Sequence, residues 1–543
     1  MPENNRMLRR LLRADGLAGV LMVAAGLNWH GCAFSQQIMP AATGASARFA
    51  ISGFEVTGDS PLSVAEWSQL LAPFIGPDAT LATLQKAAAA LEVELKARGF
   101  ALHRVSLPPQ EVGARVVLHV VKFVVGKVSV EGQAQHSEAN IRSSVPDLRE
   151  GEVPNFGALA VQTTIANENP SKQLQVSLKE SDQPDRIDAR LLVKESAPWQ
   201  FSASLSNTGS ESTGKDRLSL VGGYANLFDL DHQLSAAYTT SVARHQDVKQ
   251  LGLNYRIPLY RQGGVFGLSY TRSDVVGSFG TFSSTGAGQT LGLSYNHYLE
   301  PEGGRRSQLT LSLDRKRFDV SLVNEAPVPG QLERGSRPLT LGYSVRMETD
   351  STAWAYNLEL SANLSGGAGN TLEAYQSEDV RINSTNWKAV RGGVSYVSAA
   401  ASGWSWSART QFQYSPGALI SGEQFGLGGN ASVRGTAERA LAGDTGVFAS
   451  LEATGPAWLP GLRPIAFMDG GWLRNNNSDA NPNKPGNDRL LGVGLGLRYG
   501  SASYSLSAEW GRLLSGSLVP FTAGSGLPQA GDQKIHLNLT ASF

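Results

Sequence analysis

The chain has almost no cysteine, no long apolar run beyond its N-terminal region and no net charge. Cys32 is the only cysteine among 543 residues, and 47 Lys and Arg residues balance 47 Asp and Glu residues. A balanced charge argues against a nucleic-acid partner. After residue 30, no stretch is apolar for the roughly 18 residues that a membrane-spanning helix requires. Any membrane insertion must therefore use strands that close on themselves, because lipid cannot satisfy open backbone edges.

Motifs for catalysis are equally scarce. The 8 histidines are scattered, and no two of them have the spacing of metal ligands. No phosphate-binding loop occurs, and we interpret Gly492–Gly496 as small residues that face a lumen. Ser, His and Asp residues that could form a catalytic set are present, but no motif indicates such a set. We therefore expect no enzymatic activity, no cofactor and no metal.

The N-terminus has the pattern of a secretion signal. Arg6, Arg9, Arg10 and Arg13 precede an apolar stretch from Leu17 to Leu27. Ala33 and Ser35 then occupy the −3 and −1 positions of a cleavage site, so we predict a signal peptide over residues 1–35 for the general secretory route. Cys32 lies before that site, so the mature chain has no thiol. Residues 36–47 are a short linker, too short to supply a helix that plugs a barrel.

Strict alternation dominates the C-terminal part of the chain. Every second residue is apolar in Leu491–Tyr499, in Ala502–Trp510 and in Ile535–Phe543, while the residues between them are small or polar. Such a period puts one face toward hydrocarbon and the other toward water. Residues 198–543 read as strands only, about sixteen at roughly 22 residues each with connections, within the range for outer-membrane barrels.

Tryptophans near the predicted strand ends suit the aromatic girdles of such a barrel. They are Trp354, Trp387, Trp404, Trp406, Trp458, Trp472 and Trp510.

Upstream of the barrel, residues 48–125 and 126–197 repeat one order of strand, helix, helix, strand, strand. Ser63, Thr80 and Asn155 are placed as helix N-caps. The predicted fold is therefore mixed: two small α/β repeats followed by a 16-stranded antiparallel transmembrane β-barrel over residues 198–543.

Two motifs in the barrel point to a family. The longest predicted loop, 416–446, joins strands eleven and twelve and holds Val433-Arg434-Gly435-Thr436, and strand thirteen holds Phe467-Met468-Asp469-Gly470-Gly471. Together they resemble the two-partner-secretion outer-membrane transporters with POTRA repeats, the haemolysin activation/secretion and filamentous-haemagglutinin transporter type. In that family, the arginine of a V-R-G-aromatic loop tip pairs with the aspartate of an F-x-D-x-G motif on the inner wall. Thr436 departs from the aromatic.

Weaker motifs extend the resemblance over nearly all of the mature chain. Leu107–Gln110 resembles the first POTRA repeat, and Asn167–Pro170 resembles the second. Asn207–Gly209 and Asn226–Phe228 resemble the first hairpin of the barrel. The terminal Phe543 resembles the signal that the barrel-assembly machinery reads during biogenesis.

The resemblance implies that Arg434 and Asp469 form an ion pair between the loop and the wall, with Val433, Gly435, Thr436, Phe467 and Gly471 as motif residues. The alternating pattern places Asp469 in the lumen together with Phe467 and Gly471. A bidentate contact between arginine and a carboxylate adds fixed geometry to charge attraction. Without the match at Asp469, Arg434 would be interpreted as a solvated loop residue.

The implied function is recognition of a large unfolded exoprotein (an adhesin, a cytolysin or a contact-dependent toxin) and its export through the barrel. The repeats would lie in the periplasm of a Gram-negative bacterium, where their sheet edges can add a strand from the client. Outer-membrane lipid and the barrel-assembly machinery are the other expected partners. Two alternatives remain: a barrel-assembly or lipid-related member of the same superfamily, and a passive porin.

Overall fold

The computed structural model describes residues 48–543, except 112, 211–212, 276, 280–281, 285, 324–325, 482–483 and 520–525. The predicted signal peptide (1–35), the linker (36–47) and the expected lack of a plug helix lie outside these residues. The described chain forms two compact units, one with both α/β repeats and one with the barrel, and the segment Glu168–Ser171 belongs to the barrel unit.

The first repeat is a three-stranded mixed sheet packed on two helices. Its central strand, Arg115–Lys122, runs parallel to Gly53–Gly58 and antiparallel to His103–Ser106. The helices span Val64–Leu71 and Leu81–Ala97. The remaining elements are the strands Phe49–Ile51 and Gly76–Ala79 and the 3-10 helix Ala72–Phe74.

Local signals start both helices of the first repeat. Ser63 and Glu66 form a reciprocal capping box, and Thr80 accepts a hydrogen bond from the backbone of Thr83. These bonds satisfy donors that a helix start otherwise leaves free. Leu91 and Leu95 then pack against the central strand as part of one apolar core.

The second repeat has the same topology. Its central strand, Arg186–Glu195, runs parallel to Val124–Glu131 and antiparallel to Lys172–Glu180. The helices span Glu138–Ser143 and Phe156–Ala166, and Asn155 caps the second. Within the described residues, the outer strands of both sheets pair on one side only.

The C-terminal unit is a closed antiparallel barrel of sixteen strands, which confirms the predicted fold. Strand 16 closes the barrel on strand 1 by pairing Asn538–Ser542 with Ser202–Ser206. An extra short strand, Arg334–Ser336, extends the pairing of strand 7. In chain order, strands 1 to 16 are Trp199–Ser206, Arg217–Leu227, His232–Thr240, Gln250–Leu259, Gly264–Ser273, Gly288–Tyr298, Arg305–Phe318, Pro338–Glu348, Thr352–Asn363, Lys388–Ala399, Ser405–Tyr414, Thr445–Thr454, Leu462–Arg474, Asn487–Gly500, Tyr504–Ser515 and Gln533–Ser542.

Alternation separates the outer face of the barrel from its lumen. In strand 16, Ile535 and Leu537 are 54% and 46% exposed, whereas the intervening His536 is 2% exposed. Exposed apolar residues of this kind recur around the outside, where they meet hydrocarbon. None of the helices in the described ranges is long and apolar enough to cross a bilayer.

One tryptophan prediction is wrong. Six of the seven tryptophans are well exposed, but Trp387 is buried. Trp387 precedes the outward-facing Lys388, so the period of two turns its ring inward. There it packs in an apolar cluster with Tyr375 and Ile382 of the preceding loop.

The barrel has short connections at the end where the chain enters and long loops at the opposite end. The loop between strands 9 and 10 contains the short helix Leu372–Gln376. The loop between strands 11 and 12 contains the 3-10 helix Ser421–Glu423 and a small hairpin of Phe425–Leu427 with Leu441–Gly443. Other loop elements are the hairpins Gly277–Phe279 with Phe282–Ser284 and Leu322–Val323 with Ala326–Pro327, and the 3-10 helices Tyr260–Gln262 and Ser478–Ala480.

Candidate functional site at the tip of the lumenal loop

Three carboxylates from neighbouring strands converge on one region of the lumen wall. Glu452 lies on strand 12, Asp469 on strand 13 and Glu509 on strand 15, and each is less than 9% exposed. Met468, beside Asp469, is 49% exposed on the outer face. Because successive side chains of a strand point to opposite faces, Asp469 faces the lumen. The wall here is acidic and little hydrated.

Arg434, from the loop between strands 11 and 12, contacts Asp469. Its Nε donates to Oδ2 at 2.7 Å and its Nη2 donates to Oδ1 at 2.8 Å. The backbone N–H of Arg434 also donates to Oδ2, at 3.2 Å. Arg434 is 5% exposed and Asp469 0%. The contact is therefore bidentate, buried and additionally fixed through the loop backbone.

Arg434 also contacts the other two carboxylates. Its Nη1 donates to Glu452 Oε2 and to Glu509 Oε2, each at 2.8 Å. On the far side of the two glutamates, Arg498 donates to Glu452 Oε1 at 2.5 Å and to Glu509 Oε1 at 2.9 Å. Two arginines and three carboxylates thus form one network with a formal charge of +2 − 3 = −1, in which Arg498 is partly exposed and the other four residues are buried.

The aromatic residue of the wall motif completes the contacts of the guanidinium. The Cζ atom of Arg434 lies 3.4 Å from the centroid of the Phe467 ring. A planar guanidinium over an aromatic face gains a cation–π attraction that strengthens where water is excluded. Ser450 also donates to Asp469 Oδ1 at 2.7 Å, which fixes the carboxylate.

Glycines let the backbone of the loop lie directly on the wall. A Cβ atom on Gly492 would lie 2.6 Å from the carbonyl oxygen of Arg434, and one on Gly511 would lie 2.7 Å from the nitrogen of Gly435. Gly435 has a φ of 105°, a backbone conformation that side chains disfavour, and its N–H donates to His536 Nε2 at 3.1 Å. The close fit therefore depends on lumen-facing glycines.

The remaining motif residues also lie at this interface. Val433 is fully buried in an apolar cluster with Leu427 and Leu513. Thr436 is 8% exposed. A Cβ atom on Gly471 would meet Leu427 at 2.5 Å, so Gly471 makes room for the loop hairpin.

Phe543 lies apart from this site. It follows the last residue of strand 16, is 79% exposed, and its backbone N–H donates to the carbonyl of Phe201 at 2.9 Å.

Five residues of the site were not predicted from the sequence: Glu452, Glu509, Arg498, Ser450 and His536. A signal for Glu509 was present, because it occupies a polar position between the apolar Ala508 and Trp510. A charge at the lumen-facing phase of an alternating strand indicates a partner inside the barrel. Among the described residues, no group of His, Cys, Asp and Glu side chains is arranged to hold a metal ion.

Comparison with known proteins gives two family matches. The model of haemolysin secretion/activation proteins ShlB/FhaC/HecB matches residues 186–499, and the model of ShlB-type POTRA domains matches residues 49–122. The outer membrane transporter CdiB of Dickeya dadantii (strain 3937) is 24% identical over 391 residues, which cover 70% of this chain and 68% of that protein. CdiB of Escherichia coli is 23% identical over 487 residues, covering 85% of this chain and 78% of that protein.

Solved structures show the same fold. CdiB from Escherichia coli superimposes with a TM-score of 0.75 at 19% identity, covering 100% of this chain and 96% of that one. CdiB from Acinetobacter baumannii gives a TM-score of 0.69 at 17% identity, covering 100% and 98%.

Proposed function

This chain belongs to the ShlB/FhaC/HecB family of haemolysin secretion/activation proteins, and we propose how its parts export a partner protein. It is a two-partner-secretion transporter of the outer membrane, with its POTRA repeats in the periplasm. The client is a large exoprotein, which we propose to be an adhesin, a cytolysin or a contact-dependent toxin, bound as an unfolded chain.

The repeats are proposed to bind the client by strand addition. The sheet of each repeat has outer strands that pair on one side only within the described residues, such as His103–Ser106 in the first and Lys172–Glu180 in the second. Main-chain hydrogen bonds at such an edge accept many sequences, which suits a receptor for an unfolded polypeptide.

The loop between strands 11 and 12 is proposed to be the movable occlusion of the lumen. The observation that carries this proposal is the buried contact of Arg434 with Asp469 on the inner wall. A client can pass only if the loop yields space, and a network of charged hydrogen bonds returns the loop to one position afterward.

Deletion of the gene tests the proposed function. We expect one large exoprotein to be trapped or degraded in the periplasm, while other outer-membrane proteins keep their normal abundance. Depletion of many barrels from the membrane would contradict export of a single client and would favour the barrel-assembly alternative. Complementation with the intact chain is the control.

Outer-membrane lipid is a further proposed partner. The outer face carries exposed basic side chains at the ends of strands opposite the periplasm, where they can meet lipid phosphates. They are Arg272, Arg315, Lys388, Arg474, Arg489 and Arg512.

For biogenesis, we propose that the barrel-assembly machinery reads the exposed Phe543 of the terminal strand. Its side chain is free of the lumen network and accessible at the end of the barrel wall.

A further inference from the structure

A second buried charge lies near the base of the same loop. Glu423 ends the 3-10 helix Ser421–Glu423 and is 3% exposed. Its Oε1 accepts a hydrogen bond from Lys316 Nζ at 3.0 Å, and its Oε2 accepts one from Arg391 Nη2 at 3.1 Å. Ser336 Oγ donates to Oε1 at 2.9 Å. Lys316 lies on strand 7 and Arg391 on strand 10, so these contacts join the loop to a wall sector distant in sequence from that of Asp469.

The two contacts of the loop have opposite polarity. At the tip, the cation Arg434 meets carboxylates of strands 12, 13 and 15; at the base, the anion Glu423 meets cations of strands 7 and 10. Reversing the loop would bring like charges together at both places, which is unfavourable in a poorly hydrated lumen. The charge pattern therefore favours one orientation of the loop on the wall, with Arg434 at the carboxylates and Glu423 at the cations.

We propose that Glu423 is a positioning residue that latches the base of the loop, and that this latch opens more readily than the contact at the tip. The inference rests on the proposed role of the loop as a movable occlusion. It separates the loop into two parts that can leave the wall in sequence, base first.

The wall offers replacement partners at the base. Glu359 stands directly opposite Arg391 in the register of strands 9 and 10, and Asp314 shares a strand face with Lys316. All four side chains line one cavity of about 380 Å³, which gives them room to turn. Departure of Glu423 changes the formal charge of this group from +2 − 3 = −1 to +2 − 2 = 0.

At the tip, departure of the loop has the opposite consequence. Without Arg434, its wall partners Glu452, Asp469 and Glu509 keep Arg498 as the cation of the network, and the formal charge changes from −1 to +1 − 3 = −2. Uncompensated buried carboxylates are costly. By formal charge, release at the base is therefore the less demanding step.

Cysteine labelling of the purified, client-free transporter tests the order of release. Two reporters are compared in a Cys32→Ala background: Ala418→Cys at the base, where the native residue is 4% exposed, and Thr436→Cys at the tip, where it is 8% exposed. Adding Glu423→Gln should raise the rate of thiol labelling at position 418 roughly tenfold or more, because Lys316 and Arg391 then donate to a neutral amide oxygen instead of a carboxylate. Labelling at position 436 should change far less.

Glu438→Gln is the matched control, because this glutamate of the same loop accepts a hydrogen bond from the loop's own Asn430 at 2.7 Å. It should leave labelling at position 418 near the unmodified rate. Arg391→Gln removes one of the two cationic wall partners of Glu423 without changing the loop. It should raise labelling at position 418 in the same direction but by less, which keeps the test valid if Glu423→Gln folds poorly.

Unchanged labelling at position 418 in both variants, or an equal rise at both reporters, would overturn the proposal. Because no client is present, this outcome is distinguishable from a failure of the export function, which is measured in cells.

Discussion

Replacing Arg434 should harm export more than replacing Asp469, although the two residues contact each other. Arg434→Ala leaves three buried carboxylates with Arg498, a formal charge of +1 − 3 = −2. Asp469→Ala leaves two arginines and two glutamates, a formal charge of +2 − 2 = 0, and Arg434 keeps both 2.8 Å contacts with Glu452 and Glu509. The loop can remain seated in the second variant but not in the first.

Burial of the network sets how much free energy each substitution removes from the contact between the loop and the wall. Removing one partner of a buried ion pair costs about 3–5 kcal/mol, since the other charge is left uncompensated. Asp469→Ala should remove less free energy from this contact, roughly the 1.5–3 kcal/mol that hydrogen bonds to a charged group contribute, because two carboxylates remain as partners of Arg434. The double variant returns the network to +1 − 2 = −1, so its loss should not exceed that of Arg434→Ala. We expect non-additivity of about 1–3 kcal/mol between the two sites.

The assay is the amount of exported client per folded, heat-modifiable barrel, measured for the two single variants and the double variant. Arg261→Ala is the matched control, because Arg261 is exposed in the short turn Tyr260–Gln262 after strand 4 and lies outside the Arg434 network. The expected order of export is the control first, then Asp469→Ala, then Arg434→Ala and the double variant. Strictly additive losses, or normal export by Arg434→Ala, would show that the arginine behaves as a solvated loop residue.

Three further outcomes are expected. Removal of residues 48–197 should leave a barrel that inserts but abolish binding of the purified client secretion domain, because the barrel closes on itself; retained binding would contradict strand addition at the repeats. Deletion of Phe543 should lower the yield of heat-modifiable barrel, whereas an unchanged yield would make it only another lipid-facing residue. Gly511→Ala should reduce export, because its Cβ would lie 2.7 Å from the loop backbone. Gly470→Ala is the control and should be tolerated, because its Cβ would lie 3.4 Å from a side-chain atom of Leu491. Equal export by the two variants would show that the loop does not need the close approach to the wall.

The fold was predictable because its signals are local. Alternation with a period of two marks each barrel strand, and caps such as Ser63 and Asn155 mark helix starts in the repeats. The repeated order of elements and the count of alternating segments supplied the numbers of repeats and strands, and the family resemblance supplied the pairing of Arg434 with Asp469. The prediction for Trp387 was wrong because proximity to a strand end says nothing about which face a side chain takes.

The rest of the site depends on how neighbouring strands are staggered, which no local pattern encodes. Glu452, Arg498 and Glu509 lie on three strands, and their meeting follows from the registers of strands 12 to 15. The role of Glu423 was equally unpredictable from the sequence, since this residue lies in a single 3-10 turn within a long loop.

The charges on the inner wall of the barrel nevertheless explain why the loop carries an arginine at this position. The buried carboxylates Glu452, Asp469 and Glu509 lie on strands 12, 13 and 15, and Arg498 of strand 14 donates to the two glutamates. Buried charges need partners, and Arg434 of the loop donates to Asp469 and to both glutamates. The loop between strands 11 and 12 starts beside these strands and carries Arg434 between Val433 and Gly435. The apolar Val433 can be buried, and Gly435 can lie close to the wall. The buried carboxylates therefore give a physical reason for the arginine of this loop, in addition to the family resemblance.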